Sequence, residues 1–146
     1  MKTLTHIKRG SFGVILCTAA LLLAGCAGMG ADSGTKVMLS GSQEVPPVST
    51  SASGSGTIMI GMDKSVSGSV TTSGVAATAA HIHVGAAGKN GPVIVPMAKT
   101  ADNVWSVPAG AKLTDAQYES FKAGDLYVNV HSAQNKGGEI RGQLKP

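Results

Sequence analysis

The sequence predicts an all-β antiparallel domain, a sandwich or a barrel, with one short helix. Short runs rich in Val, Ile and Thr recur from residue 36 onward, and stretches of Gly, Ser, Pro and Asn separate them. Such spacing is typical of antiparallel sandwiches and barrels. The sequence contains no repeat of 20–50 residues, which excludes solenoid and propeller folds.

Eight segments have the composition or the alternation expected of strands. They are residues 36–41, 55–62, 65–72, 78–84, 92–98, 103–107, 126–131 and 138–144. Residues 40–53 are predicted as an edge or an extended loop, because Pro46 and Pro47 cannot donate to a central ladder. Residues 85–91 are predicted as a second loop, because their glycines and Asn90 tolerate positive φ.

The single predicted helix covers residues 113–124. Thr114 and Gln117 have the spacing of a capping box, in which each side chain accepts a hydrogen bond from the other residue's backbone N–H. Tyr118 and Phe121 lie about one turn apart on the helix. We expect these two rings to pack the helix onto the sheet.

The first 25 residues are predicted to be the signal peptide of a bacterial lipoprotein. A basic start with three cations precedes an apolar run over residues 12–23, which is too short to span a bilayer. The run ends in Leu23-Ala24-Gly25-Cys26, which resembles a lipobox. This resemblance implies cleavage before Cys26 and lipidation of its thiol. Residues 26–35 are then the lipidated cysteine and a flexible tether, and residues 36–146 are the folded domain.

The predicted lipid anchor assigns the protein to the bacterial cell envelope. Several acyl chains hold a protein to a membrane strongly, since each buried methylene adds roughly 0.8 kcal/mol. Ala27 follows Cys26, whereas an Asp at that position would resemble a signal for retention in the inner membrane. We therefore expect the outer membrane, on its periplasmic or its surface side.

The positive charge of the chain belongs mostly to the predicted leader. The whole chain has 12 Lys and Arg against 8 Asp and Glu, and residues 1–25 contain three of the cations and no acid. The exported protein is therefore nearly neutral and lacks the basic cluster that nucleic-acid binding requires. Cys17 leaves with the leader and Cys26 carries lipid, so no disulfide is expected.

The sequence favours a non-enzymatic protein. It contains no P-loop, no Gly-x-Ser-x-Gly elbow, no dinucleotide-binding fingerprint and no Cys-x-x-Cys pair. The predicted domain also has no cysteine nucleophile.

The three histidines of the predicted domain lie in two strand-like segments. His81 and His83 alternate with apolar residues in 80–84, and His131 does so in 126–131. The period of two places all three imidazoles on the face opposite the aliphatic side chains. If the two strands are neighbours, the three rings converge into a site that suits zinc or copper.

Two other interpretations of these polar residues remain open. The imidazoles can instead bond loop carbonyls and hold the turns after both strands. Glu139 and Arg141 share the face away from the core, where an exposed charge pair is the simpler interpretation. The more specific interpretation is that Glu139 is a further metal ligand or a hydrogen-bond partner of His131. Glu44, just before the two prolines, is a weaker candidate.

Five segments together resemble the CHRD domain, which is named after chordin. They are residues 39–48, 80–83, 90–93, 124–131 and 137–144. The resemblance covers the chain from about Leu39 to Leu144. It implies an all-β sandwich of immunoglobulin or superoxide-dismutase type with Greek-key connections, and no established enzymatic activity.

The expected function is the binding of a transition metal by a lipid-anchored, non-enzymatic protein. The expected ligands are His81, His83 and His131, and copper is favoured over zinc because its intrinsic affinity is higher. The alternative is an interaction or envelope-structural module that engages a protein or a glycan, with structural histidines. The sequence does not indicate which protein such a module would bind.

Overall fold

The computed structural model describes residues 34–146, so the predicted signal peptide, Cys26 and nearly all of the tether lie outside the described residues. The strands are β1 (Thr35–Ser40), β2 (Ser53–Ile60), β3 (Val66–Ser73), β4 (Ala77–Val84), β5 (Val93–Ala101), β6 (Val104–Ser106), β7 (Leu126–Ser132) and β8 (Ile140–Leu144). A 3-10 turn covers Gly41–Gln43 and the helix α1 covers Asp115–Lys122. Within residues 34–146 no helix is long and apolar enough to cross a membrane.

The eight strands and the helix lie where the sequence pattern predicts them. Strand ends differ from the predicted ends by at most three residues. The helix begins after Thr114, whose Oγ1 accepts a hydrogen bond from the Gln117 backbone N–H at 3.3 Å. The Gln117 side chain accepts one in return from the Thr114 N–H at 2.9 Å. The predicted capping box is therefore confirmed.

The strands form one closed barrel, so the predicted β-sandwich is wrong. Their order around the barrel is β1-β2-β3-β6-β5-β4-β7-β8, and every neighbouring pair is antiparallel. The pair Ser40 and Arg141 joins β1 to β8 and closes the sheet. The all-β antiparallel class and the single short helix are as predicted.

Small residues at inward positions of β2 and β3 help to explain why the sheet closes. Gly56 on β2 lies opposite Val70 on β3. A Cβ atom at Gly56 would overlap the carbonyl oxygen of Ser69, so the two backbones approach more closely than side chains allow. Glycine inside a strand permits the bending that a barrel needs. Alternation alone could not predict closure, because sandwiches and barrels both bury one face of each strand.

The interior of the barrel is aliphatic. Its fully buried side chains include Val37, Ile58, Val70, Ile82, Leu126, Val128, Val130, Ile140 and Leu144. Phe121 of α1 is buried in this core and Tyr118 packs against it, as predicted. Because the core is apolar, the polar side chains of β4, β7 and β8 must lie on the outside of the barrel.

Candidate metal centre

The outward side chains of β4, β7 and β8 form a continuous polar face. The register places them in rows across the strands: His83 beside Tyr127 and Gln143, His81 beside Asn129 and Arg141, and Ala79 beside His131. Neighbouring side chains on one face of an antiparallel pair lie close enough to interact. β4 and β7 are adjacent, which is the condition that the predicted site required.

The three histidines of this face form a compact group, here called the histidine cluster. One ring nitrogen from each of His81, His83 and His131 lies within 4.8 Å of the others. The closest pair is His81 Nδ1 and His131 Nε2, 3.0 Å apart. The three imidazoles therefore lie close enough to bind one metal ion.

Backbone carbonyls hold two of these rings in a form that is ready to bind metal. Nδ1 of His83 lies 2.9 Å from the Gly91 carbonyl oxygen. Nδ1 of His131 lies 3.0 Å from the Lys136 carbonyl oxygen. A carbonyl only accepts hydrogen bonds, so both Nδ1 atoms carry the proton and both Nε2 atoms keep a lone pair. Such bonds from metal-binding histidines to carbonyls fix the tautomer and the ring orientation.

The Nε2 lone pairs of His83 and His131 make at most one hydrogen bond each among the described residues. Nε2 of His83 is buried and has no hydrogen-bond partner within residues 34–146. The lone pair of His131 Nε2 accepts the hydrogen bond from His81 Nδ1. A buried polar atom without a partner costs free energy, which a bound cation would recover for His83.

The histidines are neutral near pH 7. Burial lowers the pKa of His81, and positive charge on His131 and then on His83 lowers it further. Burial also lowers the pKa of His83 and of His131, although their bonds to the two carbonyls partly oppose this shift. Neutral imidazoles are the form that binds metal, so protons compete weakly at this site.

The loop before β5 fixes the position of His83 through Gly91. The Gly91 carbonyl accepts from His83, and its N–H donates to the Tyr127 hydroxyl at 3.0 Å. A Cβ atom at Gly91 would overlap the carbonyl oxygen of Val84, so only glycine fits here. Gly91 and Tyr127 were not predicted as site residues. The only sequence signals for them were the Gly-Pro step at residue 91 and an outward Tyr in β7.

The other half of the polar face is a buried group, here called the arginine cluster: Arg141, Tyr127, Glu44 and Asn129. Arg141 is only 1% exposed. Its Cζ lies 3.4 Å from the centre of the Tyr127 ring, and the ring of His83 stacks on Tyr127 at 4.8 Å. Tyr127 thus contacts both Arg141 and His83, and the two clusters meet at these residues.

Neither Glu139 nor Glu44 joins the histidine cluster, which contains no carboxylate among the described residues. Glu139 is buried and accepts a hydrogen bond from Thr50 Oγ1 at 3.0 Å. Hydrogen bonds from Ser132 and then Thr50 lower its pKa. Among residues 34–146, Glu139 forms no ion pair with Arg141. These two residues are therefore buried rather than an exposed charge pair.

Glu44 belongs to the arginine cluster. It is 4% exposed, and its Oε1 has no hydrogen-bond partner within residues 34–146. Burial raises its pKa from 4.5 to about 7, although the charge of Arg141 opposes the shift. Asn129 lies beside it, and its amide donates to the Gly137 carbonyl at 3.3 Å. Glu44 and Arg141 also line a groove of about 420 Å³, so this half of the face carries a carboxyl that titrates near neutrality beside a second groove.

Comparison with protein families matches residues 35–144 to the CHRD domain. The chain belongs to the CHRD domain family. The match covers more than half of the chain and confirms the resemblance that the sequence motifs indicated. No curated protein and no solved structure gave a match. The function of this CHRD domain must therefore be argued from its own residues.

Proposed function

We propose that this CHRD-domain protein is a lipid-anchored, non-enzymatic protein of the bacterial cell envelope that binds one transition-metal ion through His81, His83 and His131. One observation carries the proposal. The Nδ1 atoms of His83 and His131 bond backbone carbonyls, so both Nε2 atoms keep a lone pair, and a nitrogen of each of the three neutral imidazoles lies within 4.8 Å of the others. Three imidazoles with an open fourth position are a common donor set for zinc and copper.

Metal binding requires only a small adjustment of the cluster. Donors about 2.0–2.1 Å from a tetrahedral ion lie roughly 3.3–3.5 Å from one another. His81 Nδ1, which donates its proton to His131 Nε2 in the unbound cluster, lies 3.0 Å from that atom, and a nitrogen of each histidine lies within 4.8 Å of the others. His81 is only partly buried and has no bond to a backbone carbonyl, so its ring is the one that turns. Its hydrogen bond to His131 is then replaced by ligation.

Copper is the proposed metal and zinc is the alternative. Nitrogen donors bind copper more tightly than zinc by the general order of divalent metals. The set of three neutral imidazoles without a carboxylate or a thiolate suits both ions. Their relative affinity is therefore part of the test.

The direct test is a calorimetric titration of the full chain, purified in detergent without an affinity histidine tag, with Cu²⁺ and with Zn²⁺. We expect saturable binding of one ion per chain, tighter for copper. The triple variant H81A/H83A/H131A should lose it while circular dichroism shows that the barrel remains. Glu139→Gln is the matched control and should bind as the wild type does. Absence of saturable binding, or equal binding by the triple variant, would refute the proposal.

A second function is favoured by the same two carbonyl bonds. His83 and His131 hold Gly91 and Lys136, so they can act as structural supports of the two loops. The protein would then be an interaction or envelope-structural module for a protein or glycan partner. In that case the triple variant loses thermal stability, and the wild type gains none when metal is added. The metal-binding proposal predicts instead that saturating metal raises the melting temperature of the wild type alone.

The proposed anchor is tested at Cys26. Replacing it in C26S should move the protein from the membrane fraction to the soluble fraction and remove the mass of the acyl chains from the purified protein. Separation of inner and outer membranes then tests the proposed outer-membrane location. An unchanged distribution in the C26S variant would contradict lipid anchoring at this residue.

A further inference from the structure

A groove opens beside the histidine cluster. Its volume is about 470 Å³, and both His81 and His131 line it. Its other walls are formed by Thr78, Ala79, Val93, Ser132, Ala133 and Lys136. His83 is 7% exposed and does not line the groove, so it closes the cluster from the inside. A metal ion held by the cluster would therefore have its open coordination position toward this groove.

The charges around the groove favour an anion. An imidazole that binds a metal through a ring nitrogen is neutral, so three histidine ligands leave the charge of a bound cation uncompensated. No carboxylate lines the groove. Lys136 is its one charged lining residue, and it forms no ion pair within the part of the chain that the structure describes. A cation and an ammonium group at one end of a groove attract a negatively charged ligand.

The remaining walls favour a ligand with a small apolar part. Ala79, Val93 and Ala133 supply methyl groups, and Val93 is 48% exposed although its neighbour Val95 is buried. Covering apolar surface of this kind removes it from water, which favours binding. A hydrated inorganic anion would leave these side chains in water, whereas a short branched chain would cover them.

We infer that the metal-loaded protein binds a small organic carboxylate in this groove. A carboxylate oxygen binds the metal on the side where Lys136 lies, and the alkyl group packs against Val93. This inference rests on the proposed metal-binding function. Lys136 is well placed for the role, because the hydrogen bond from His131 to its carbonyl ties its backbone to the metal cluster at 3.0 Å. The ligand takes the open coordination position and no covalent bond of the ligand changes.

The experiment uses the full chain loaded with one equivalent of Cu²⁺, and the probe is isobutyrate. The copper absorption and electron paramagnetic resonance spectra are recorded as isobutyrate is added in a buffer that does not bind copper. We expect a saturable spectral change with isobutyrate, a weaker affinity for acetate, and no saturation with the neutral isostere isobutyramide. Equal titrations with isobutyrate and isobutyramide, or no change with either, would overturn the inference.

Two lysine variants provide the matched comparison. Lys136→Met should weaken isobutyrate binding roughly three- to fivefold, the range expected for loss of one partly exposed charge contact. Lys145→Met removes an exposed charge that does not line the groove and should leave the isobutyrate affinity unchanged. Equal affinities of the two variants for isobutyrate would also overturn the inference.

The same experiment separates this inference from the proposed function. Copper affinity is measured first for each protein, before isobutyrate is added. A wild type that binds copper but not isobutyrate contradicts the carboxylate site alone. A wild type that does not bind copper contradicts both.

Discussion

The histidine cluster, on β4 and β7, and the arginine cluster, on β7, β8 and the segment around Glu44, lie side by side on the outside of the barrel but differ in what their side chains do. Arg141 is fully covered, and its Nη2 donates to the Ala86 carbonyl at 3.1 Å and to Gln143 Oε1 at 3.2 Å. His81 and His131 instead remain partly exposed, and a ring nitrogen from each of the three histidines lies within 4.8 Å of the others. Both clusters border a groove, but only the histidine cluster brings together three nitrogens that can bind a metal, whereas Arg141 and Tyr127 support the structure.

The difference comes from the loops rather than from the strands. The segment around Glu44 and the loop containing Ala86 and Asn90 cover the arginine cluster, and both loops contribute contacts to it. Over the histidine cluster these loops supply only the Gly91 carbonyl, which orients His83. Since His83 stacks on Tyr127, the arginine cluster holds one residue of the histidine cluster in place. Four variants, at Arg141, Glu44 and Tyr127, test this division of roles.

Arg141→Met should have the largest effect. The methionine cannot make the stack on Tyr127 or the hydrogen bonds to Ala86 and Gln143, and it leaves Glu44 without a nearby cation. Loss of one partner from a buried polar network costs about 2–4 kcal/mol of unfolding free energy. Urea denaturation measures this change.

Arg141→Lys separates charge from shape in that comparison. Lysine keeps the positive charge but lacks the planar group that stacks on Tyr127. Its unfolding free energy should fall between those of the wild type and Arg141→Met. The unfolding free energy of Arg141→Met could instead lie within about 0.5 kcal/mol of the wild-type value, as is typical of surface substitutions. The arginine cluster would then not support the structure as described above.

Glu44→Gln should have an intermediate effect that depends on pH. The pKa of Glu44 is about 7 in the folded protein and 4.5 in its ordinary state, so between these values the folded protein binds more protons than the unfolded chain. Its contribution to stability is full below pH 4.5 and is lost as the pH rises through 7. At pH 8 the variant should therefore be more stable than the wild type by roughly 1–2 kcal/mol, and at pH 5 this advantage should largely disappear.

Urea denaturation at both pH values checks the Glu44 prediction. Glu119→Gln serves as the control, because Glu119 is an exposed helix residue paired with Lys122. It should show no such difference between pH 5 and pH 8. A Glu44→Gln variant with the same stability change at both pH values would mean that this carboxyl is not held in its neutral form.

Tyr127→Phe should have the smallest effect on stability. The variant keeps the ring that contacts Arg141 and His83 but loses the hydroxyl that accepts the Gly91 N–H. One such hydrogen bond is worth about 1 kcal/mol. Tyr118→Phe is the control, since the Tyr118 hydroxyl makes no hydrogen bond among the described residues and should change stability little. Urea denaturation measures both variants. Equal effects would show that the hydrogen bond between Gly91 and Tyr127 does not help to hold His83 in place.

Local patterns predicted the strands and the direction of the side chains, but not how the strands close. Alternation places His81, His83 and His131 away from the core whether the sheet is a sandwich or a barrel. Closure instead depends on the pairing of β1 with β8 at Ser40 and Arg141, which lie far apart in the chain.

The burial of the charged residues was also beyond local reasoning. Arg141 was expected to be exposed because it points away from the barrel interior. It is buried because residues more than 50 positions away in the chain, such as Ala86 and Asn90, fold over it. In the same way, the sequence could not decide whether the histidines are loop supports or metal ligands. The structure contains both the carbonyl bonds and the converging nitrogens.

The most direct test of the central claim is metal analysis of the wild-type protein and of H81A/H83A/H131A, both isolated without an affinity tag from the cells that express them. We predict close to one copper or zinc ion per chain in the wild type and none in the triple variant. A folded wild type that carries no stoichiometric metal, or a triple variant that carries the same amount, would contradict the assignment of these histidines as a metal site.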